Sequence, residues 1–205
     1  MSEDPSLDAA YALKTPQDSV RLYRNWASTY DEGFATDMDY RLHEVVAEAF
    51  VKAGGKGPVL DLGAGTGLVG EALHARGISQ IDGTDISPEM LAEAASKDLY
   101  DRLFEGDILQ TLDAEDESYA GVVSAGTFTL GHVGPRGLDE AVRILQPGGT
   151  LVISVRRPHF ESEGFADALS VLPLTYDTKE AAVYGTRADA DHAGHTALIL
   201  TATKV

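Results

Sequence analysis

The hydrophobic and polar positions between residues 58 and 155 form two alternating patterns. Short apolar runs, typical of buried strands, are each followed by a segment whose apolar residues recur with the period of a helix. Strands are predicted in this way at residues 58–62, 80–84, 121–125 and 151–155, and one more ends near Gly106. Helices are predicted at residues 68–76, 87–97 and 136–145. Strands and helices that alternate with short connections predict a mostly parallel sheet covered on both faces.

The two ends of the chain carry other patterns. Before the alternating region, helices are predicted at residues 6–13, 16–30 and 39–52. After it, a helix is predicted at residues 160–171, then strands at 182–186 and 196–203 around a polar loop. Two successive strands joined by a loop form a hairpin. The complete prediction is an α/β protein whose mostly parallel, seven-stranded sheet ends in an antiparallel hairpin.

A glycine-rich turn follows the first strand of the alternating region. Residues 61–67 read DLGAGTG and stand directly before the helix predicted at 68–76. Glycine lets the backbone turn tightly and approach a ligand without a Cβ in the way. The first amides of the helix have no partner within it and carry positive potential. The turn therefore predicts a site for an anionic group, either a nucleotide phosphate or the carboxylate of an amino-acid moiety.

The same letters also satisfy a dinucleotide motif. Residues 65–70 read GTGLVG, which matches G-x-G-x-x-G, and Asp85 follows at the distance that such a site requires. Three features disfavour this interpretation. Residues 63–64 separate the strand from the first glycine of that motif, and Asp61 would place a carboxylate close to a pyrophosphate. Asp107 supplies a second acid after the third strand, where an adenine amino group can use an acceptor. A nicotinamide-dependent dehydrogenase stays a remote alternative.

Four segments resemble, in order and spacing, the motifs of class I S-adenosylmethionine-dependent methyltransferases. The first motif is matched by VLDLGAGTG at residues 59–67, and the second-strand segment by IDGTDISPEML at 81–91. The adenine-binding segment is matched by EGDI at 105–108, and the late turn with the fifth strand by ILQPGGTLVISV at 144–155. The resemblance implies a Rossmann-like sandwich and a methyltransferase of class EC 2.1.1.-. It also implies S-adenosylmethionine as the cofactor and S-adenosylhomocysteine as the product.

The resemblance assigns roles to particular residues. Asp85 would bind the ribose hydroxyls and Asp107 the adenine amino group, whereas Asp61 is expected mainly to hold the glycine turn. Helix entry for Asp85 and a surface position for Asp107 are the structural alternatives. The expected cofactor-binding residues are Trp26, Tyr30, Asp61, Gly63, Ala64, Gly65, Gly67, Leu68, Asp85, Ile86, Met90, Asp107, Ile108, Ser124 and Ala125.

A segment before the core narrows the resemblance. LYRNWASTYD at residues 22–31 is similar to the W-A-x-x-Y-D segment of the methyltransferase-like protein 27 group, named for the Williams–Beuren syndrome region. LYDRL at 99–103 and GTFTLGHV at 126–133 also fit that group. The resemblance implies that the amino-terminal helices cap the cofactor, with Trp26 and Tyr30 over it; plain packing is the alternative. Ala120 departs from the family, which usually has an aspartate of structural role there.

Composition limits the classes of partner. The 33 acids and 16 bases give a formal net charge of −17, which repels phosphate backbones and disfavours nucleic acid as a substrate. The absence of cysteine excludes disulfides, thiolate metal sites and a cysteine nucleophile. His192 and His195 stand in an aspartate-rich loop at a spacing typical of no metal site, so no metal is predicted.

Size and hydropathy predict a single soluble domain. We expect residues 1–205 to form one methyltransferase domain, with a helical cap at 1–52, a cofactor-binding core at 57–155 and a helix plus hairpin at 156–205. The amino terminus lacks the features of a signal peptide, and no apolar run approaches the roughly 20 residues that span a bilayer. A cytoplasmic monomer or homodimer without a membrane partner is expected.

The sequence says less about the methyl acceptor than about the cofactor-binding site. The sulfonium carbon of the cofactor is already electrophilic, so the protein needs to align the reactants, exclude water and, where required, remove a proton. The acceptor should lie beyond the fourth strand, because ligands of open sheets gather at the carboxyl ends of strands. Histidine is the residue type suited to base chemistry near neutrality, which makes His132 the candidate base and His159 a weaker second choice. Tyr30 of the cap is the other predicted catalytic residue, expected beside the acceptor. A purely structural His132 is the alternative.

Three functions are consistent with these features. A methyltransferase of small molecules is favoured, because the chain is compact and shows no added substrate domain. A protein methyltransferase is the second, since an acidic surface can hold basic peptides. The third is a module that binds the cofactor without catalysis.

Overall fold

The computed structural model describes residues 16–129 and 132–205, and these form an α/β sandwich. Its strands are β1 (Val59–Leu62), β2 (Ile81–Asp85), β3 (Arg102–Glu105), β4 (Tyr119–Phe128), β5 (Leu145–Arg156), β6 (Leu174–Ala182) and β7 (Thr196–Lys204). Its α-helices are α1 (Pro16–Thr29), α2 (Leu42–Lys52), α3 (Leu68–His74), α4 (Pro88–Ser96), α5 (Gly137–Ile144), α6 (Arg157–Ser162) and α7 (Phe165–Val171). The helix predicted at residues 6–13 lies outside the described residues.

The strands form one sheet in the order β3-β2-β1-β4-β5-β7-β6. The five strands from β3 to β5 in that order are parallel, whereas β7 runs antiparallel to both of its neighbours. This confirms the predicted mostly parallel sheet with a terminal antiparallel hairpin. Leu62 pairs with Thr84 of β2, so the turn after β1 and the end of β2 meet at the same edge of the sheet.

Each face of the sheet carries its own hydrophobic core. Because side chains alternate along a strand, β1 contributes Leu60 and Leu62 to one face and Val59 to the other. Phe128 and Phe165 lie in the first core, and Phe50 of α2 fills the second. All four residues of β1 are buried, as expected for a central parallel strand covered on both faces.

The amino-terminal cap contains an element that the sequence does not predict. The helix predicted at 16–30 ends at Thr29, and the chain continues as a π-helix (Tyr30–Ala35). The wider winding is visible in the bond from the backbone N–H of Thr36 to the carbonyl of Asp31, five residues back. Helix α2 begins at Leu42, later than predicted, because Asp39 adopts φ 52°.

One predicted strand is wrong. Residues 182–186 were expected to pair with the last strand, but that role belongs to β6, which ends at Ala182. Strand β6 reads LTYDTKEAA and lies at the sheet edge with most of its side chains in solvent, so it lacks the apolar alternation of a half-buried strand. The apolar pair Val183 and Tyr184 instead packs into the core on the α2 side.

Several element bounds differ from prediction for local reasons. The helix predicted at 160–171 is divided into α6 and α7, because Gly164 adopts φ 77° between them. Strands β4 and β5 both extend past their predicted ends. The turn predicted at residues 146–149 lies within β5 at a register shift against β4. Among the helices of residues 16–129 and 132–205, none has the length and apolar character needed to cross a bilayer.

Candidate active site

A cavity of about 150 Å³ lies at the carboxyl edge of β1, β2 and β4, beneath the amino-terminal cap. Most of the predicted cofactor-binding residues line it, and the cap contributes Tyr23 and Tyr30. The predicted residues that line the cavity are Tyr30, Gly63, Ala64, Gly65, Leu68, Asp85, Ile86, Met90, Asp107, Ile108, Ala125 and His132. The sheet order places these chain segments side by side.

The glycine turn is tied to the end of β2 by backbone and side-chain hydrogen bonds. The amides of Gly63 and Ala64 each donate to the carbonyl of Thr84 over 2.9 Å, and the amide of Gly65 donates to Oδ2 of Asp85 over 2.9 Å. Gly63 and Gly65 have φ of 71° and 56°, a backbone conformation that favours glycine. A Cβ on Gly65 would meet no atom within 4 Å, so this glycine keeps the floor of the cavity open.

Two carboxylates stand on the cavity wall at the ends of successive strands. Asp85 accepts from Gly65 through Oδ2 and from the amide of Ser87 through Oδ1. Burial raises the pKa of Asp85, and these backbone hydrogen bonds lower it in part. Asp107 accepts from the amide of Leu109 through Oδ1 over 2.9 Å. Both side chains are held by backbone amides and still have lone pairs for a ligand.

Apolar side chains complete the wall around the carboxylates. Ile86, Met90 and Ile108 line the cavity, and Met90 and Ile108 are buried. Met90 lies in the first turn of α4, which Ser87 caps by accepting from the Met90 amide over 3.3 Å. The wall thus combines hydrogen-bond acceptors with surfaces that fit a flat heterocycle.

The four remaining predicted residues lie outside the cavity. Gly67 caps α3 with φ 91°, and Ser124 donates to the carbonyl of Leu62 over 2.6 Å in full burial. Asp61 lies beneath the turn, and Trp26 lines an adjoining pocket. These positions support the turn or the cap.

Asp61 is held by a tyrosine that the sequence analysis did not single out. The hydroxyl of Tyr100 donates to Oδ2 of Asp61 over 2.8 Å and accepts from the amide of Gly70 over 3.2 Å. Burial raises the pKa of Asp61 to about 7, the hydrogen bond from Tyr100 lowers it and the charge of Asp85 raises it. A Cβ on Gly70 would lie 2.5 Å from the Tyr100 hydroxyl. The last glycine of the apparent dinucleotide motif therefore makes room for this ring.

A second contact that was not predicted from the sequence joins the cap to the glycine turn. Asp31, at the second position of the π-helix, accepts from the hydroxyl of Thr66 over 2.5 Å. Its other oxygen accepts from Nζ of Lys97 over 2.6 Å, and Lys97 also pairs with Glu71 at 3.1 Å. Asp31 is the last residue of the W-A-x-x-Y-D segment, which was the available sequence signal.

The two predicted catalytic candidates differ in what they can do. His132 lines the cavity, and its Nε2 is hydrogen-bonded to the hydroxyl of Tyr23 at 3.0 Å. Tyr30 also lines it, but burial raises the pKa of Tyr30 well above its ordinary value. A tyrosine that stays protonated can donate a hydrogen bond and orient a ligand, whereas it cannot take up a proton. His132 therefore stays the predicted base.

A smaller pocket of about 50 Å³, here called the aromatic pocket, adjoins the cavity. Residues that line both are Tyr23, Tyr30, Tyr40, Gly126 and His132. Residues that line only the aromatic pocket are Trp26, Phe34, Leu42, Phe128, Thr129, Ser154, Arg156, Val183 and Tyr184. The shared residues make the aromatic pocket a side chamber of the cavity, on the side of the cap.

Comparison of the sequence with known proteins agrees with this architecture. Residues 59–149 match the family model of the methyltransferase domain. The human methyltransferase-like protein 27 is 30% identical over an alignment of 153 residues, and the alignment covers 72% of this chain and 62% of that protein. The chain therefore matches less than two thirds of the length of this curated relative.

Solved structures share the fold at lower identity. A TehB-like SAM-dependent methyltransferase from Corynebacterium glutamicum is 21% identical, with a TM-score of 0.65 over 89% of this chain and 98% of that one. The [4+2]-cyclase SpnF is 18% identical, with a TM-score of 0.72 over 94% of this chain and 97% of that one. Residues 59–149 thus form a methyltransferase domain by sequence, and the chain as a whole is similar to methyltransferase-like protein 27 and shares the fold of solved methyltransferases.

Proposed function

We propose that this protein transfers a methyl group from S-adenosylmethionine to a small molecule. The observation that carries the proposal is the cavity itself, which brings the open glycine turn, Asp85 and Asp107 together beneath the cap. The aromatic pocket adjoins this cavity at His132, and an acceptor in that pocket can reach the cofactor cavity.

The residues present fit the cofactor. The two oxygens of Asp85 are fixed by backbone amides, which orients their remaining lone pairs for a pair of ribose hydroxyls. Asp107 lines the same cavity and would accept from the adenine amino group, and Ile86 and Ile108 offer apolar surface to the faces of the ring. The absence of a side chain on Gly65 leaves room for the amino-acid moiety next to the amino end of α3.

The protein's own part in the reaction is positioning and proton removal. When bound, S-adenosylmethionine supplies a methyl group that the acceptor's lone pair takes, while the carbon–sulfur bond pair returns to sulfur. Tyr23, Tyr30 and the rest of the cap cover the cavity and keep water from it. His132 takes the proton that a hydroxyl or amine acceptor loses, and Tyr23 holds the imidazole in place.

The site also bears on two alternative functions. The aromatic pocket is small and bounded by α1 and the π-helix, which favours a small acceptor over a polypeptide. Methyl transfer to small acceptors, but never to polypeptides, would rule out a protein methyltransferase. A module that binds the cofactor without transfer is the other alternative, and the shared fold of a cyclase shows why fold alone does not decide it.

The cofactor half of the proposal is tested by calorimetric titration with S-adenosylhomocysteine. We expect binding by the wild-type protein, and a loss of about 1.5–3 kcal/mol in Asp85→Ala, the range for hydrogen bonds to a charged group. That loss corresponds to about 10- to 150-fold in Kd. Glu115→Ala is the control, because Glu115 is an exposed acid that does not line the cavity. Absence of binding at millimolar ligand would overturn the proposal.

The remaining expectations are part of the same proposal. Residues 1–205 act as one methyltransferase domain, in the cytoplasm, as a monomer or homodimer. The partners do not include nucleic acid, because the net charge of −17 repels the phosphate backbone. Light scattering of the purified protein measures the oligomeric state, and a species larger than a dimer would contradict it.

A further inference from the structure

One side chain of the cavity wall has a ring nitrogen without a hydrogen-bond partner. His43 lies in the first turn of α2, and its ring lines the cofactor cavity. The ring of Tyr40 stacks on it, with centroids 5.6 Å apart and an interplanar angle of 23°. Nδ1 of His43 is buried and has no partner among the residues that the structure describes. Buried polar atoms without a partner are uncommon, so this atom restricts the form that the imidazole can take.

The imidazole of His43 is neutral at neutral pH. Burial lowers its pKa, and the charge of Arg41 lowers it further. The charges of Glu44, Glu71 and Asp31 act in the opposite direction, but the pKa stays lowered. A neutral imidazole carries one hydrogen, so one of its nitrogens donates and the other accepts.

The buried Nδ1 decides which nitrogen carries the hydrogen. An N–H group at Nδ1 would be buried without an acceptor, and orphaned buried N–H groups are rarer in proteins than buried acceptors without a donor. The hydrogen therefore belongs on Nε2, the nitrogen farther from the backbone. In this form His43 has a neutral N–H group that can donate to a ligand in the cavity.

The order of the strands places His43 at one end of the cavity. Asp107 follows β3, Asp85 ends β2, and the glycine turn follows β1, which lies two strands away from β3. Helix α2 packs against α3, the helix that follows the glycine turn, and Val46 and Val69 of these helices share one core. His43 is therefore on the side of the glycine turn, away from Asp107.

The amino-acid moiety of the cofactor belongs at that end. A cofactor whose adenine lies at Asp107 and whose ribose lies at Asp85 extends its amino-acid moiety towards the glycine turn. This moiety carries a carboxylate, which accepts hydrogen bonds, and an ammonium group, which only donates them. Asp31 and Glu71 would repel a carboxylate, but both pair with Lys97, at 2.6 and 3.1 Å.

Given S-adenosylmethionine as the cofactor proposed above, we propose that Nε2 of His43 donates a hydrogen bond to the carboxylate of its amino-acid moiety. The donor of His43 matches the carboxylate and has nothing to offer the ammonium group. His43 then makes the protein selective for a cofactor that carries the carboxylate. The ring of Tyr40 holds the imidazole in place from one face.

The test compares two ligands that differ only in the carboxylate. S-adenosylhomocysteine and its decarboxylated analogue, which keeps the amino group, are titrated by calorimetry into the wild-type protein and into His43→Phe. The phenyl ring keeps the stacking on Tyr40 and removes the donor. We expect His43→Phe to bind S-adenosylhomocysteine at least about tenfold more weakly than the wild-type protein does, and to bind the analogue within about twofold of it.

Two further variants control for packing. His43→Gln keeps an N–H donor and should retain part of the preference for the carboxylate. His74→Phe makes the same substitution at an exposed histidine that does not line the cavity, and both ligands should bind to it as to the wild-type protein. Equal losses for the two ligands in His43→Phe would overturn the proposal in favour of packing. A larger loss for the analogue would assign His43 to the ammonium group instead.

Failure of the underlying function gives a different result. If S-adenosylhomocysteine does not bind to the wild-type protein, the methyltransferase proposal fails and the role of His43 with it. If it binds to the wild-type protein and equally well to His43→Phe, only the role of His43 is wrong.

The wild-type protein also provides a test that does not depend on the folding of His43→Phe. Nitrogen NMR of its histidines at about pH 8, with S-adenosylhomocysteine bound, should show His43 neutral with its hydrogen on Nε2. The signal of His43 is identified by its absence in His43→Gln. A hydrogen on Nδ1 in the complex would overturn the proposal.

Discussion

Single glycines in the turn have separable roles, because an added methyl group meets different surroundings at each. At Gly63 a Cβ would lie 2.1 Å from Oγ1 of Thr127, whereas at Gly65 it would meet nothing within 4 Å. Both have positive φ, so both substitutions strain the backbone by about 1–2 kcal/mol. Only the substitution at Gly63 also creates a steric clash, with the side chain of Thr127.

We expect Gly63→Ala to lower the free energy of unfolding by about 2 kcal/mol or more, since overpacking adds about 1–3 kcal/mol to the strain. Gly65→Ala should cost only the strain, but weaken S-adenosylhomocysteine binding by about tenfold, or 1.4 kcal/mol. Urea unfolding and calorimetry measure the two quantities. Gly77→Ala is the control, because Gly77 has φ 86° and open surroundings and does not line the cavity. A similar unfolding cost for Gly63→Ala and Gly77→Ala would contradict the packing argument.

The buried carboxyl of Asp61 makes stability depend on pH. Its pKa is raised from 3.8 to about 7, chiefly by burial. Between these values the native carboxyl keeps its proton while the unfolded one has lost it. The native state then binds more protons, so the free energy of unfolding falls as pH rises through this window.

Asp61→Asn should remove this dependence and keep an oxygen that can accept from Tyr100. The variant should gain stability relative to the wild-type protein as pH rises from about 4 to 7, by about 4 kcal/mol at most, because one pKa unit is worth about 1.4 kcal/mol. Urea unfolding at several pH values measures the difference. Asp101→Asn, at an exposed residue, should show no such trend. Parallel pH profiles for Asp61→Asn and the wild-type protein would rule the effect out.

At the scale of elements, two of the charged contacts between the cap and the core differ in their exposure to solvent. Asp31 joins the π-helix to Thr66 of the glycine turn and to Lys97, whose side chain is 16% exposed. Arg24 of α1 pairs with Glu89 of α4, and its side chain is 59% exposed. Exposed pairs contribute little, whereas hydrogen bonds to sheltered charges contribute more.

We therefore expect Asp31→Ala to loosen the cap selectively. Amide hydrogen exchange of residues 16–35 should accelerate by about 5- to 30-fold, equivalent to about 1–2 kcal/mol, while exchange in β1 and β4 stays unchanged. Arg24→Ala, which breaks the exposed contact between the same parts, should change exchange little. Equal acceleration in the two variants would show that Asp31 has no special role.

At the scale of the whole molecule, the formal net charge of −17 makes the folded state repel itself. Raising sodium chloride from about 0.01 M to 0.15 M shortens the Debye length from about 30 Å to about 8 Å and screens this repulsion. We expect Tm to rise by about 2–4 °C for each kcal/mol gained. Differential scanning calorimetry measures the shift in Tm. Potassium chloride is the control and should raise Tm by the same amount, because screening depends on ionic strength and not on the cation. A falling Tm would mean that the ion pairs outweigh the repulsion.

The sequence by itself determined the features that depend on local chemistry. Buried parallel strands need apolar runs, helices need apolar residues at helical spacing, and the turn at Gly63 and Gly65 needs residues that tolerate positive φ. The order of strands and helices then implied the parallel sheet and its terminal hairpin. Strand β6 was not predicted, because most of its side chains lie in solvent at the sheet edge and its sequence therefore shows no alternation of apolar and polar residues. The π-helix was not predicted from the sequence, because its winding depends on contacts that the cap makes in the folded protein.

Only the tertiary structure decided which distant residues meet. Tyr100 reaches Asp61 across 39 positions of the chain, and Lys97 reaches Asp31 across 66. Arg156 shares the aromatic pocket with Trp26 because β5 and the cap converge at the carboxyl edge of the sheet. Local patterns contain no information about such pairs, because sheet order and the path of the cap bring them together. The glycine turn was therefore predictable from the sequence, whereas its support by Tyr100 and the aromatic pocket beneath the cap are visible only in the fold.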